Sequence, residues 1–268
     1  MASQPPGGTQ SSGGSVGTFA SGSQFWILTS GAAARTLGAD PVALHYFARP
    51  GKVVMWPIKT GISAPASWHT VPWLSYTSFA QFQAAVASGT VPPNTRAVMY
   101  DCENWDFTPA NEQADPVGYM RKFAALAHAH GYMVIGALGI DVMDVIAPSN
   151  NKWTAFEQSG IAAKIAPLVD FYHIQSQRLE QTLPQYVAFT QAIEQQVRAA
   201  NPKAIITAGV TTNMNGAAAT PQQIASAVEA TSSIVSGYWL NVPSNNAYDP
   251  SGGAFNPAVA SAALALLP

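Results

Sequence analysis

The sequence predicts an α/β fold, a (β/α)8 barrel of TIM type, and three observations lead there. Short apolar runs rich in β-branched and aromatic residues alternate with longer runs of helical period, the order that lays crossing helices over a parallel sheet. The length of 268 residues suits a single barrel of the usual size. No Gly-rich turn of the GxGxxG or GxxxxGK type appears, which counts against the doubly wound nucleotide-binding sheet, the other fold built on the same alternation.

Taken in order, "MASQPPGGTQSSGGSVGT" is rich in Gly, Ser, Gln and Pro and lacks hydrophobic period. Residues 1–22 are therefore expected to be a flexible leader and 23–268 the barrel domain. Strands are read at 25–30 (FWILTS), 42–48 (VALHYFA), 53–58 (VVMWPI), 96–102 (RAVMYDC), 132–138 (YMVIGAL), 169–175 (VDFYHIQ), 204–210 (AIITAGV) and 237–242 (GYWLNV). Helical period marks "SFAQFQAAVASG", "DPVGYMRKFAALAHAHG", "TAFEQSGIAAKIAPL", "LPQYVAFTQAIEQQVRAANP", "TPQQIASAVEATSSI" and "NPAVASAALALL". Several of these open on Ser, Thr or Asp before Pro and stop at Gly or Asn-Pro, as capped helices do. Eight strands against six helices imply that the first units are irregular. The stretch "SWHTVPWLSY", with Trp68, His69, Trp73 and Tyr76, reads as a long loop that either lines a groove or plugs one end of the barrel.

Composition excludes several functions. Hydrophobic residues make up 48%, enough to bury a large core. With 12 Lys+Arg against 14 Asp+Glu and no basic run, nothing is available to bind a nucleic-acid backbone. No apolar run approaches the roughly 20 residues that span a bilayer, so no membrane partner is expected. Cys102 is the only cysteine, so neither an intrachain disulfide nor a cysteine-based zinc cluster can form. No cofactor or metal is assigned, and a monomer is expected. The leader composition suggests export, with a soluble cytoplasmic protein as the alternative.

Barrel enzymes carry their chemistry at the C-terminal ends of strands, and the richest end is "AVMYDCENWDFTP". Side chains alternate along a strand, so Ala97, Met99, Asp101 and Glu103 share one face, and Val98, Tyr100 and Cys102 the other. If the first set points inward, two acids meet at the barrel mouth. Mutual repulsion raises the affinity of one for its proton and fits it to serve as a general acid. Glycosidic cleavage needs such a pair, with Glu103 protonating the leaving oxygen and Asp101 orienting it and stabilising positive charge. Asp106 and Trp105 lie within reach in the following loop. The structural alternative is that the two acids only cap that loop.

The remaining strand ends supply ligand-binding candidates. In "VDFYHIQSQ", His173, Gln175 and Gln177 share a face that suits a hydroxyl-rich ligand, with His173 better read as a satisfied interior polar group. "GVTTNMNG" offers Thr211, Asn213 and Asn215, and "GYWLNV" offers Trp239 and Asn241, the tryptophan as an apolar floor for a sugar ring. Tyr46 and His45 come from the segment read as the second strand, and Trp56 from the third. His128 and His130 stand about 200° apart on a helix and are read as structural.

Three of these motifs, "VMYDCEN", "VDFYHIQSQ" and "GYWLNV", resemble the family 18 chitinase type of (β/α)8 glycoside hydrolase. A second likeness is to the family 25 lysozyme type, which also ends a strand in D-x-E. The resemblance implies an acid/base role for Glu103, a supporting carboxylate in Asp101, an aromatic floor in Trp239 and a ligand contact in Gln175. Two positions depart from the chitinase pattern. "RAVMY" replaces the acidic run before D-x-E, and Gln177 stands where a tyrosine would hold an N-acetyl group, so the substrate and that substrate-assisted mechanism do not carry over.

The first reading is thus a glycosidase acting on a small-molecule or oligosaccharide substrate. The second is a carbohydrate- or ligand-binding barrel without catalysis. A third has Asp101, Glu103 and Asp106, with Asn104, hold Mg²⁺ for a phosphorylated or diphosphorylated apolar substrate. Only Arg49, Lys52, Lys59 and Arg178 lie near the predicted strand ends to neutralise phosphate.

Overall fold

The computed structural model describes residues 24–58, 61–214, 217–243 and 253–268. The leader assigned to 1–22, Lys59 and Asn215 lie outside these residues. Eight strands, each parallel to both neighbours, close into a barrel. They are β1 Phe25–Thr29, β2 Lys52–Pro57, β3 Thr70–Tyr76, β4 Ala97–Cys102, β5 Met133–Leu138, β6 Phe171–Ile174, β7 Ile205–Thr211 and β10 Gly237–Asn241. A two-residue pair, β8 Asn213–Met214 and β9 Ala217–Ala218, forms a separate antiparallel hairpin after β7. The helices are α1 Gly31–Leu37, α2 Pro41–Phe47, α3 Phe79–Ala87, α4 Ala110–Ala114, α5 Pro116–Ala129, α6 Met143–Ile146, α7 Lys152–Ser159, α8 Ile161–Ile165, α9 Leu183–Ala200, α10 Pro221–Thr231 and α11 Pro257–Leu266. No helix among the described residues is long and apolar enough to cross a membrane.

Period-2 alternation divides the core in two. One apolar cluster, including Trp26, Leu28, Val53, Met55, Val71, Trp73, Ala97, Met99, Ile135, Ala137 and Phe171, fills the barrel. The intervening residues, among them Ile27, Val54, Leu74, Val98, Tyr100 and Cys102, pack outward under the helices. Each large side chain buried in this way contributes about 1.5–3 kcal/mol. Alternation along β4 therefore sends Ala97 and Met99 inward, and the next positions on that face are Asp101 and Glu103. Cys102 lies on the helix side, where burial pushes its thiol up to about 12, so it is inert packing.

Three expected elements are corrected. The segment 42–48 is not a strand but helix α2. Asp40 caps it, its Oδ1 accepting from the Ala43 amide at 2.9 Å, and Pro41 occupies the first turn. Ala43, Tyr46 and Phe47 then recur at helical spacing on the buried face, which the β-prone composition of the segment concealed. The segment read as a loop contains strand β3. Proline within a strand removes a ladder donor, but the Pro72 carbonyl accepts from Arg96 N at 2.9 Å, just ahead of β4. In a parallel ladder the amide of a residue faces the same neighbour as its carbonyl. The donor that proline lacks would thus point to chain preceding β4, and the ladder loses nothing. Finally, "TAFEQSGIAAKIAPL" is broken at Gly160, whose φ of 62° lies in the left-handed region that ends α7.

The expected irregularity of the first units is present. Two short helices follow β1, and β2 runs to β3 through a segment with no α-helix among its described residues. Trp68 from that connection covers the outside of the barrel instead. It meets Phe47 and Trp56 edge-on at 4.8 and 5.9 Å and donates its indole N–H to Leu44 O at 3.3 Å. Trp56 and Trp68 therefore serve the outer core, His69 is exposed, Tyr76 packs on Phe82 and Phe123, and Trp73 alone of this group fills the barrel.

Candidate active site

The C-terminal ends of β3, β4, β5 and β6 bring together a set of polar side chains. Asp101, in β4, receives the Ser75 hydroxyl from β3 at 3.5 Å. Glu103 follows immediately after β4 and accepts from Gln175 Nε2 at 3.0 Å. Gln175, just past β6, also reaches Ala137 O at 3.5 Å and accepts from Gln177 Nε2 at 3.2 Å. The two glutamines thus form a directed chain of amides ending on the Glu103 carboxyl. Gln177 Oε1 fits only because β7 has Gly209 opposite, where an added Cβ would lie 2.2 Å from that oxygen.

A third acid, which no motif in the sequence marked, completes the group. Asp141 stands in the 3-10 turn Ile140–Val142 after β5, and its Oδ1 accepts from the Asn104 amide at 3.2 Å. Gly139 is what lets it approach. A Cβ there would be 2.5 Å from Asp141 Oδ1 and 2.8 Å from Glu103 Cγ.

Burial and mutual charge act on all three acids. Burial pushes Asp101 up to about 7, against the Ser75 hydrogen bond and with the charge of Asp141 adding to the rise. Glu103 is pushed well above the usual carboxylate range, first by burial and then by Asp101 and Asp141, while the Gln175 amide and Arg178 oppose it. Asp141 is raised by burial, opposed by the Asn104 amide and Lys152. Burial, Asp101 and Asp141 thus all bias Glu103 towards its protonated form, which is the form a general acid requires.

Arg178, a basic residue that acts on Glu103, has φ 85°, a left-handed conformation rarely adopted outside glycine. Buried Glu180 holds it there, accepting the Arg178 amide and, at 2.6 Å, the Thr211 amide. The sequence did not mark Glu180 either, because it acts through backbone groups.

Beneath the acids the barrel is aromatic. Trp239 crosses Trp73 edge-on at 5.8 Å and lies 4.9 Å from the His173 ring. His173 Nδ1 pairs with the Thr207 hydroxyl at 3.1 Å, and burial lowers its pKa to about 3, so the ring is neutral. It is the satisfied interior histidine that the sequence suggested.

The other candidates are placed unequally. Asn241 ends β10 and Asn213 starts β8, both on the strand-end side, with the Asn213 side chain against Gly253. Trp105 is half-buried in the loop after β4, its indole N–H donating to Thr108 Oγ1 at 2.7 Å. Asp106 is exposed in that loop. Among the described residues no three His, Cys, Asp or Glu side chains group as metal ligands, so the oxygen set of Asp101, Glu103 and Asp106 is not assembled. Tyr46 is not brought to the site. It lies at the opposite end, where β1 and β2 begin, with its hydroxyl accepting from Lys52 Nζ at 3.2 Å and its ring under Lys52 and Arg49. Arg49 and Lys52 are thereby removed from the strand-end mouth as well. The sequence misplaced Tyr46 because it assigned α2 to a strand.

No family model matches the chain, and no curated protein sequence matches it. Among solved structures it is similar to an active-site mutant of Rhizomucor miehei beta-1,3-glucanosyltransferase in complex with laminaritriose, at 10% identity over 88% of this chain and 91% of that one, with a TM-score of 0.49. It is also similar to a GH128 exo-beta-1,3-glucanase from Aureobasidium namibiae, at 11% identity, 86% and 88% coverage and a TM-score of 0.42. Triosephosphate isomerase from Bartonella henselae is similar at 9% identity, 81% and 92% coverage and a TM-score of 0.41.

Proposed function

We propose that the barrel hydrolyses a glycosidic bond of a small-molecule or oligosaccharide substrate, with Glu103 as general acid and Asp101 as its carboxylate partner. The observation that carries this reading is the hold on Glu103. Its carboxyl lies at a strand end, oriented by Gln175 at 3.0 Å and biased towards the protonated form by burial beside Asp101 and Asp141. A proton donor fixed in direction, next to a second acid that can bear charge, is what departure of a sugar oxygen requires. Gln175, Gln177, Trp105, Asp106, Asn213, Trp239 and Asn241 are the proposed substrate contacts, with the Trp239 ring as floor. The likeness of the D-x-E, Gln175 and Trp239 motifs to the chitinase type agrees with these roles, without the tyrosine-dependent mechanism.

The test is hydrolysis of a panel of chito-, laminari- and peptidoglycan-derived oligosaccharides by the wild type and by Glu103→Gln. Loss of the proton donor is expected to lower kcat by about 10²–10⁴-fold with the melting temperature maintained. Unchanged turnover in the variant would overturn the assignment. One observation favours a binding barrel as the second reading. Among the described residues, Gln177 Oε1 and Trp239 Nε1 are buried without a hydrogen-bond partner, an acceptor and a donor of the kind a ligand hydroxyl satisfies. Oligosaccharide binding with no product from the wild type would select that reading.

A further inference from the structure

We propose that Asp141 is a positioning residue for Glu103: it shares with the glutamate the space left open by Gly139, grips the adjacent Asn104 amide, and by its charge keeps Glu103 in the proton-carrying form. The inference rests on the proposed role of Glu103, but its geometry is independent of any substrate. Asp141 Oδ1 accepts from Asn104 N at 3.2 Å, so it anchors the residue next to the acid. The Cβ that Gly139 lacks would sit 2.5 Å from Asp141 Oδ1 and 2.8 Å from Glu103 Cγ. These two side chains therefore occupy one space, and a carboxylate so near a second one disfavours its ionisation.

The other groups that face Glu103 come from the neighbouring strands. Asp101 from β4 acts in the same direction as Asp141, while Gln175 and Arg178 after β6 act against them. Cys102, on the far face of β4, carries no charge near neutral pH. Asp141 itself is influenced by Lys152 and Asp144, which are paired with each other at 2.7 Å. The lysine that acts on Asp141 is thus already engaged with another acid, and Asp141 retains its effect on Glu103.

Asp141→Asn separates charge from shape, because the asparagine oxygen can still accept from Asn104 N. In protein labelled with ¹³Cδ-glutamate, the Glu103 resonance is assigned by its absence in Glu103→Gln and followed against pH. The Glu103 midpoint is expected to fall by about one pH unit or more in Asp141→Asn and to return in Asp141→Glu. Gly139→Ala, which forces the two acids apart while leaving both charges in the chain, is expected to lower it as well and serves if the asparagine variant does not fold. A midpoint unchanged in these variants would overturn the proposal. Where an oligosaccharide is turned over, the alkaline limb of kcat should move down by the same amount with KM preserved. Since the titration needs no substrate, failure of the glycosidase reading would show as absent turnover, and failure of the Asp141 role as an unmoved midpoint.

Discussion

Gly209 matters for the atom it lacks. The space in front of it holds Gln177 Oε1, and the bond from Gln177 Nε2 to Gln175 depends on that seat. Gly209→Ala places a methyl group 2.2 Å from the oxygen, so Gln177 must swing away and leave Gln175 oriented only by its own contacts. The expected outcome is a KM for oligosaccharide raised about tenfold, the equivalent of 1.4 kcal/mol, with a much smaller change in kcat. An unchanged KM would exclude Gln177 from ligand binding. At this scale the sequence was informative wherever alternation along one strand decided the matter, as for Asp101, Glu103 and Gln175. It was silent on Asp141 and Glu180, which reach the site through turns and act on backbone amides of distant segments. No spacing rule encodes such contacts.

At the scale of elements, α2 and β3 show how local composition and tertiary context compete. Val, Tyr and Phe made 42–48 look like a strand, yet Asp40 and Pro41 start a helix there and the barrel wall accepts its Ala43–Tyr46–Phe47 face. A cluster of aromatic residues made 70–76 look like a loop, yet it forms β3, and the donor that Pro72 lacks would point to chain ahead of β4. The strand count stayed at eight because these two errors compensate, so the closed barrel was legible even though one wall was misassigned. Asp40 is the residue on which α2 depends. Its Oδ1 accepts both the Ala43 amide and the Ser261 hydroxyl of α11, each at 2.9 Å. Asp40→Ala removes the cap and the tie between the first and last helical layers, and is expected to destabilise the fold by about 1–2 kcal/mol. Urea unfolding measures this loss, and a midpoint equal to wild type would show that Pro41 and packing suffice to start the helix.

For the whole molecule, the acids that suit the mouth for proton transfer weaken the fold at the pH where they would work. Asp101 keeps its proton to about pH 7 in the folded chain and releases it near its ordinary value of 3.8 when unfolded. Between those values the unfolded state binds fewer protons, so stability falls as pH rises. Glu180, raised from 4.5 to about 7, acts in the same sense. His173 acts in the opposite sense, because a ring held neutral down to about pH 3 costs stability as pH falls below its ordinary 6.5. Asp101→Asn tests the first effect, since Glu180 and His173 contribute equally to both proteins and the accompanying fall of Glu103 towards its ordinary range acts in the same sense. A shift of three units corresponds to at most about 4 kcal/mol, and relaxation of the site reduces it. The melting temperature of Asp101→Asn relative to wild type is accordingly expected to be roughly 5 °C more favourable at pH 8 than at pH 4. If the advantage of Asp101→Asn does not grow with pH, the folded barrel holds the Asp101 proton no more tightly than the unfolded chain does, which would overturn the rise that burial is argued to give this acid.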